Sequence, residues 1–176
     1  MQVEVKPADL APFRCLCASS VSFGYPTLVT RRALAFRRLR RLSYAAASAV
    51  TIPRRQVFQI QYDQEPLQTR SLTGVLINNT RHVGGFVALP GASCHDGRVD
   101  AMELHSNFIS QMAHHLSAMS NLNCWTPARI RQIGAAKLRP ESPQELMLDG
   151  ELFPNVAEIT LRVLPAALPC FTPPNS

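Results

Sequence analysis

Long apolar runs are missing from this 176-residue chain. None approaches the roughly 20 residues a membrane-spanning helix needs, so the chain does not cross a bilayer as a helix. The first residues, Met1-Gln2-Val3-Glu4-Val5-Lys6, lack the basic-then-apolar order of a secretory leader, and a cytoplasmic chain is expected. Aromatic residues make up only 7%, too few for a base-stacking platform. No zinc finger, helix-turn-helix or RNA-binding aromatic signature occurs, so nucleic acid is not an expected partner. The five cysteines are an odd number without a Cys-x-x-Cys pair. That pattern argues against a disulfide framework and against zinc. Cys15 and Cys17 would share one face of a strand, while Cys94, Cys124 and Cys170 are scattered, and all five read as reduced thiols. Without a leader, the glycosylation triplet Asn78-Asn79-Thr80 is expected to be idle.

What is present is a basic chain able to bury a core. Hydrophobic residues make up 46% and charged residues 17%, which suits one globular domain rather than disorder. The net charge is +6 and the isoelectric point about 9.5, so an anionic partner is expected. Arg31, Arg32, Arg37, Arg38, Arg40, Arg41, Arg54 and Arg55 crowd into one short stretch. The default reading is a solvated helix face. The second is a surface for anionic lipid headgroups, at about 1 kcal/mol per charge near the membrane. Nucleic acid is a distant third.

Phe13 to Ser22 reads as a strand ending at Gly24. Pro26 suits the first turn of a helix, and Leu28 to Leu42 carries apolar residues at helical spacing among the arginines. Ser43 to Val50 continues as a second helix. Beyond Pro53 the period becomes two: Phe58, Ile60 and Tyr62 share one face. Gly74 to Ile77 is apolar throughout, as in a strand buried on both sides. Val99 to Leu104 reads as another strand. Ser106 to Met119 reads as a helix with Phe108, Met112, His115 and Met119 on one stripe. Ala128 to Leu138, Glu145 to Leu148 and Val156 to Leu164 read as extended. Many short strands with a few helices predict an antiparallel β-sandwich-like domain over residues 1–176, with 1–12 and 169–176 as loose ends.

Two Asp-Gly pairs punctuate this pattern, Asp96-Gly97 and Asp149-Gly150. Each is a strong hairpin signal, because Gly accepts positive φ and Asp tolerates it. On local grounds either pair needs no function beyond turning the chain.

The motifs in order say more. Asn78-Asn79, Gly84-Gly85, Pro90 and Ala92, then Asp96-Gly97-Arg98-Val99-Asp100 lie in one segment. Asp149-Gly150-Glu151 and Leu164-Pro165-Ala166-Ala167-Leu168 follow. Together with the Gly24 strand end and basic helix, this succession resembles the C-terminal half of the diacylglycerol kinase and sphingosine kinase superfamily of lipid kinases. The resemblance runs from about Phe13 to Pro173. It stops short of the N-terminal half, whose Gly-Gly-Asp-Gly-Thr motif binds nucleotide phosphates. Gly84-Gly85 is followed here by Phe86, and no loop offers a phosphate cradle.

The resemblance implies an ATP- and Mg-dependent transfer of phosphate to a hydroxyl of diacylglycerol or a sphingoid-type lipid. The isolated chain would be inactive, and a separate nucleotide-binding half would be its partner. Glu151 matches the glutamate proposed as the base or as a ligand of metal-bound water. Asp149 would mainly form the turn. Asp96, with backbone carbonyls of Ser93 and Arg98, matches a structural Mg²⁺ site, and oxygen ligands suit that ion. His95 receives no role. His114 and His115 lack a second ligand at helical spacing and are read as a solvated and a packing residue. The alternatives are a non-catalytic basic module peripheral at the inner membrane face, or a vestigial fragment.

Overall fold

Alternating apolar and polar residues recur along most of the chain, and strands dominate the result. The computed structural model describes residues 1–36, 38, 43–83, 86–87, 89–105 and 128–167. In chain order the elements are β1 (Gln2–Pro7), β2 (Phe13–Leu16), β3 (Ser20–Gly24), α1 (Tyr25–Ala35), α2 (Ser43–Val50), β4 (Gln56–Tyr62), β5 (Gln68–Leu72), β6 (Gly74–Asn78), β7 (His82–Val83), β8 (Phe86–Val87), β9 (Val99–Leu104), β10 (Ala128–Ile133), β11 (Ala135–Pro140), β12 (Gln144–Leu148) and β13 (Glu151–Arg162). Eleven strands form one sheet in the order β10-β9-β6-β3-β12-β13-β11-β4-β5, with β1 added to β13 and β2 to β1. The pairings are antiparallel. β7 and β8 make a separate ribbon.

β13 belongs to two halves of this sheet. Its first part pairs with β12, and its second part pairs with β11 along one edge and β1 along the other. Between the parts lie Pro154, which has no N–H to give, and Asn155 at φ 56°. The ladders of β12 and β1 shift register beside that point. The sheet therefore curls, and its halves face each other like a sandwich. Val21, Phe23, Val75, Ile77 and Ala101 from one half meet Phe58, Ile60, Tyr62, Leu138, Ile159 and Leu161 from the other in one buried cluster. The rings of Phe23 and Phe58 stand 6.4 Å apart across it. Each such side chain contributes about 1.5–3 kcal/mol when fully buried.

The outer surfaces of the two halves differ. On the first, Leu76, Met102 and Leu104 are capped by Tyr25, Val29 and Ala33 of α1 and Ala47 of α2. α1 opens with Pro in its first turn and ends where the Phe36 N–H is shared by the carbonyls of Arg32 and Ala33. On the second half the outer surface faces water. There Glu158 takes ion pairs from Lys6 at 2.7 Å and Lys137 at 3.3 Å.

Five expectations need correction. Residues 1–12 are not a loose end: Gln2–Pro7 is a central strand, with Val3 and Val5 fully buried. The stretch from Phe13 to Ser22 is two strands, since the chain turns at Ala18 and Ser19 to change partners. The stretch from Ala128 to Leu138 is also two strands, divided at Gly134. Its N–H and that of Ala135 both donate to Asp63 Oδ1 at 2.8 Å. The final strand begins at Glu151, earlier than alternation alone suggested. The arginine helix expected over Leu28–Leu42 begins earlier, at Tyr25, and stops at Ala35, where Phe36 caps it. The expected helix at Ser106–Met119 and the tail 169–176 lie outside the described residues.

Candidate functional site

The β12–β13 connection is a two-residue turn. Asp149 has φ 50° and Gly150 φ 93°, the pair of positive values that a tight hairpin with the sheet's own twist requires. Leu148 and Glu151 face each other across its base. Glu151 is thus the first residue of a paired strand, and it is exposed.

Asp149 does more than turn the chain. Its Oδ2 accepts the Ala18 N–H at 2.7 Å, and its Oδ1 accepts those of Ser19 at 2.8 Å and Ser20 at 2.9 Å. The Cys17 thiol donates to Oδ1 at 3.2 Å, and the Asp149 N–H returns a bond to the Ser20 carbonyl at 2.8 Å. Partial burial alone would push this carboxyl up, but the N–H groups of Ser20, Ala18 and Ser19 and the Cys17 thiol outweigh it, and the pKa falls below the usual range. Burial and the same carboxylate push the Cys17 thiol up to about 12. The β2–β3 connection is held from its other side too, by the Asn79 N–H on the Ser19 carbonyl at 2.8 Å.

A single register row links this turn to the other Asp-Gly pair. Ser20 faces Asn78, Asn78 faces Asp100, and Asp100 faces Gln132. Both turns therefore stand at the same end of the first half. With strands about 4.8 Å apart, Glu151 and Asp96 are separated by roughly 15–20 Å. They share a rim without touching.

Asp96 is exposed. Its Oδ1 accepts the Arg98 N–H at 2.9 Å and its Oδ2 the Gln132 amide at 3.0 Å. Gly97 follows at φ 70°, and the Ser93 Oγ accepts the His95 N–H at 3.3 Å. Asp100, close behind, has its carboxyl pushed up by burial and by the charge of Asp96. Among the described residues no group of three His, Cys, Asp or Glu side chains could hold a metal. An ion at Asp96 would need backbone carbonyls and water to complete its shell. Carbonyls such as those expected of Ser93 and Arg98 are oxygens, the donor type Mg²⁺ prefers, while both Asp96 oxygens already accept N–H bonds from Arg98 and Gln132.

Other expectations are settled by burial or by position. Asn78 is fully buried, so its triplet offers nothing for glycosylation in the folded chain. Its Nδ2 donates to the carbonyl of His82 at 3.3 Å, while its Oδ1 has no partner among the described residues. Gly84-Gly85, His114 and His115 lie outside the described residues. Sequence reasoning missed Glu103, fully buried and bound by Arg70 at 2.8 Å. His105 stands 3.5 Å from the same carboxylate. Burial and Glu103 push the neighbouring Tyr62 phenol upward, and Arg131 lies over its ring at 5.1 Å while holding Glu65 with both arms. This charged cluster sits at the opposite end of β9 from Asp96.

A curled antiparallel sandwich with a two-residue turn presenting one glutamate can be compared with known proteins. Residues 19–172 match the YegS C-terminal NAD kinase beta sandwich-like domain. The chain belongs to that family. No curated protein matches it. Among solved structures, a candidate diacylglycerol kinase from Bacillus anthracis strain Sterne aligns with a TM-score of 0.64 at 15% identity, over 93% of this chain and 54% of that one. A second such structure gives 0.60 at 16%, over 94% and 58%. A diacylglycerol kinase from the same strain gives 0.58 at 17%, over 94% and 57%. At such identities the likeness establishes the fold. This member of the YegS C-terminal family spans a little over half the length of those chains.

Proposed function

We propose that this chain is the lipid-facing half of an ATP- and Mg-dependent lipid kinase, with Glu151 as its acid–base residue. The observation that carries the reading is the mounting of Glu151. A side chain that must meet a substrate hydroxyl needs a fixed backbone and an open approach. Glu151 has both: it is exposed, and the aspartate two residues earlier is tied to three backbone N–H groups of another segment. A nucleotide held by a separate half supplies the phosphoryl group, and Mg²⁺ spreads its charge. Glu151 takes the proton from the attacking lipid hydroxyl. Asp96 with the Ser93 and Arg98 carbonyls would hold a structural Mg²⁺ on the same rim, where it would steady the loop. The substrate is a lipid with a free hydroxyl, such as diacylglycerol or a sphingoid-type lipid.

The test is transfer of labelled phosphate from ATP to diacylglycerol in mixed micelles with Mg²⁺. The chain is assayed alone, then with a separately expressed nucleotide-binding half from a related kinase. Activity is expected only in the mixture, and Glu151→Gln should lower it at least 100-fold, the scale of a lost general base. Activity from the chain alone, or a fully active Gln variant, overturns the assignment.

A further inference from the structure

Two acceptors on the first half of the sheet lack the donors that burial demands. Asn78 is 0% exposed. Its Nδ2 donates to the Thr80 carbonyl and hydroxyl and to the His82 carbonyl. Those three oxygens fix which way the amide lies, and its Oδ1 has no partner among the described residues. Asp100 is 6% exposed. The influences on its carboxyl are burial and the charge of Asp96, with no hydrogen bond and no cation among the described residues. A carboxylate placed so deeply needs a partner, because an unpaired buried charge is costly.

The two groups are neighbours. Asn78 of β6 and Asp100 of β9 face each other in the ladder. Their side chains therefore leave the same face, with Cβ atoms about 4.5–5.5 Å apart. Alternation puts them on the face of Leu76 and Met102, and Leu89 and Ala92 join those two in one buried cluster. The segment from Leu89 to Ala92 thus covers this face. Arg81 reaches that segment, but its guanidinium donates to the Ala92 carbonyl at 3.4 Å and not to Asp100. Asp96 is no partner for Asp100, being a carboxylate itself with both oxygens taken by Arg98 and Gln132. A bridging water would donate to both acceptors and leave the charge uncompensated. A cation satisfies the acceptors and the charge together. An amide oxygen and a carboxylate are ligands of hard cations. Mg²⁺ holds on to several of its waters, and two groups so little exposed leave scant room for them. Ca²⁺ takes Asn carbonyls and carboxylates into an irregular shell.

We propose that Asn78 Oδ1 and the Asp100 carboxylate form a Ca²⁺ site between β6 and β9, under the Leu89–Ala92 segment, with backbone carbonyls and water completing the shell. Its ligands are not those of the Mg²⁺ shell drawn around Asp96. It needs neither Glu151 nor a nucleotide-binding half, so it and the kinase reading can each fail without the other.

The test is calorimetric titration of the full chain, stripped with a chelator, with CaCl₂ and separately with MgCl₂. Ca²⁺ should bind with sub-millimolar affinity, and Mg²⁺ at least roughly tenfold more weakly. Asp100→Asn is nearly isosteric and removes the charge, so it should weaken Ca²⁺ binding by roughly 30-fold or more. Asn78→Ala removes the neutral ligand and should weaken it by roughly tenfold. Asp96→Asn acts only through charge at a distance and should change it by less than about fivefold. Ca²⁺ should also raise the melting temperature of the wild type and leave that of Asp100→Asn unmoved. Melting curves show whether each variant folds, and Asp100→Asn decides the matter if Asn78→Ala does not. Absence of Ca²⁺ binding overturns the proposal and leaves the pair to water or a shared proton. Wild-type affinity in Asp100→Asn, or tighter binding of Mg²⁺ than of Ca²⁺, also overturns it. So does a loss in Asp96→Asn as large as that in Asp100→Asn, which would give the ion to the Asp96 loop.

Discussion

The Asp149-Gly150 turn and the Asp96-Gly97 turn share a dipeptide and an end of the sheet, yet they restrain their aspartates very differently. Asp149 is bound by three N–H groups and a thiol from the segment Cys17–Ser20. Asp96 receives one N–H from its own loop and one side-chain amide. The difference comes from neighbours. The β2–β3 connection changes direction directly beside Asp149 and turns its free N–H groups toward it. Beside Asp96, the described donors are the Arg98 N–H of its own loop and the Gln132 amide of β10. Asp-Gly therefore specifies a bend, and the bend becomes a rigid mount only where another loop supplies donors.

This contrast can be broken most easily at Asp149. Asp149→Ala strands three N–H groups, and urea unfolding should show a loss of about 2–4 kcal/mol. A loss no larger than that of the matching change at Asp96 would collapse the distinction. The effect has a pH signature. The folded pKa of Asp149 lies below its unfolded value, so its stabilisation is complete above the ordinary carboxylate pKa of about 4. It is lost as pH falls through the folded value, and the gap between wild type and Asp149→Ala should close over that range. Next in size is Gly150→Ala. A Cβ there meets nothing within 4 Å, so its cost is the positive φ alone, about 1–2 kcal/mol by the same unfolding assay. The smallest effect belongs to Asp96→Asn, which keeps both acceptor contacts available in part and should cost under about 1 kcal/mol without metal. Millimolar Mg²⁺ should raise the melting temperature of the wild type by a degree or two and leave this variant unmoved. An equal rise in both would remove Asp96 from the ion's shell.

Much of the fold was legible. Phe58, Ile60 and Tyr62 alternate in the sequence and share the buried face in space. Gly74 to Ile77 is buried on both sides as an unbroken apolar run should be. The family's motifs, in order, gave the sandwich. β1 was equally legible, since Val3 and Val5 alternate with Gln2, Glu4 and Lys6, but a terminal position disguised it. The break at Gly134 was not, because the donors there turn toward Asp63, which is 71 residues upstream. The same holds at the site. The turn and the exposure of Glu151 follow from local chemistry. The restraint on Asp149 comes from residues some 130 positions away, and Ala-Ser-Ser carries no local sign of such a task. Glu103 hides in a strand that is buried throughout, with its arginine partner 33 residues away.

The pairing of β1 with β13 has a consequence in time. Lys6 and Glu158 meet across a sequence separation of 152 residues. At roughly 5–20 residues per second, a ribosome takes on the order of 10–30 s to make the partner strand after the first strand has emerged. Throughout that interval β1 can form its hairpin with β2, but its buried valines lack β13 on the other side. The domain cannot close progressively from its start. It has to wait for its last long strand, and the waiting strand is open to chaperones, to other nascent chains and to mispairing.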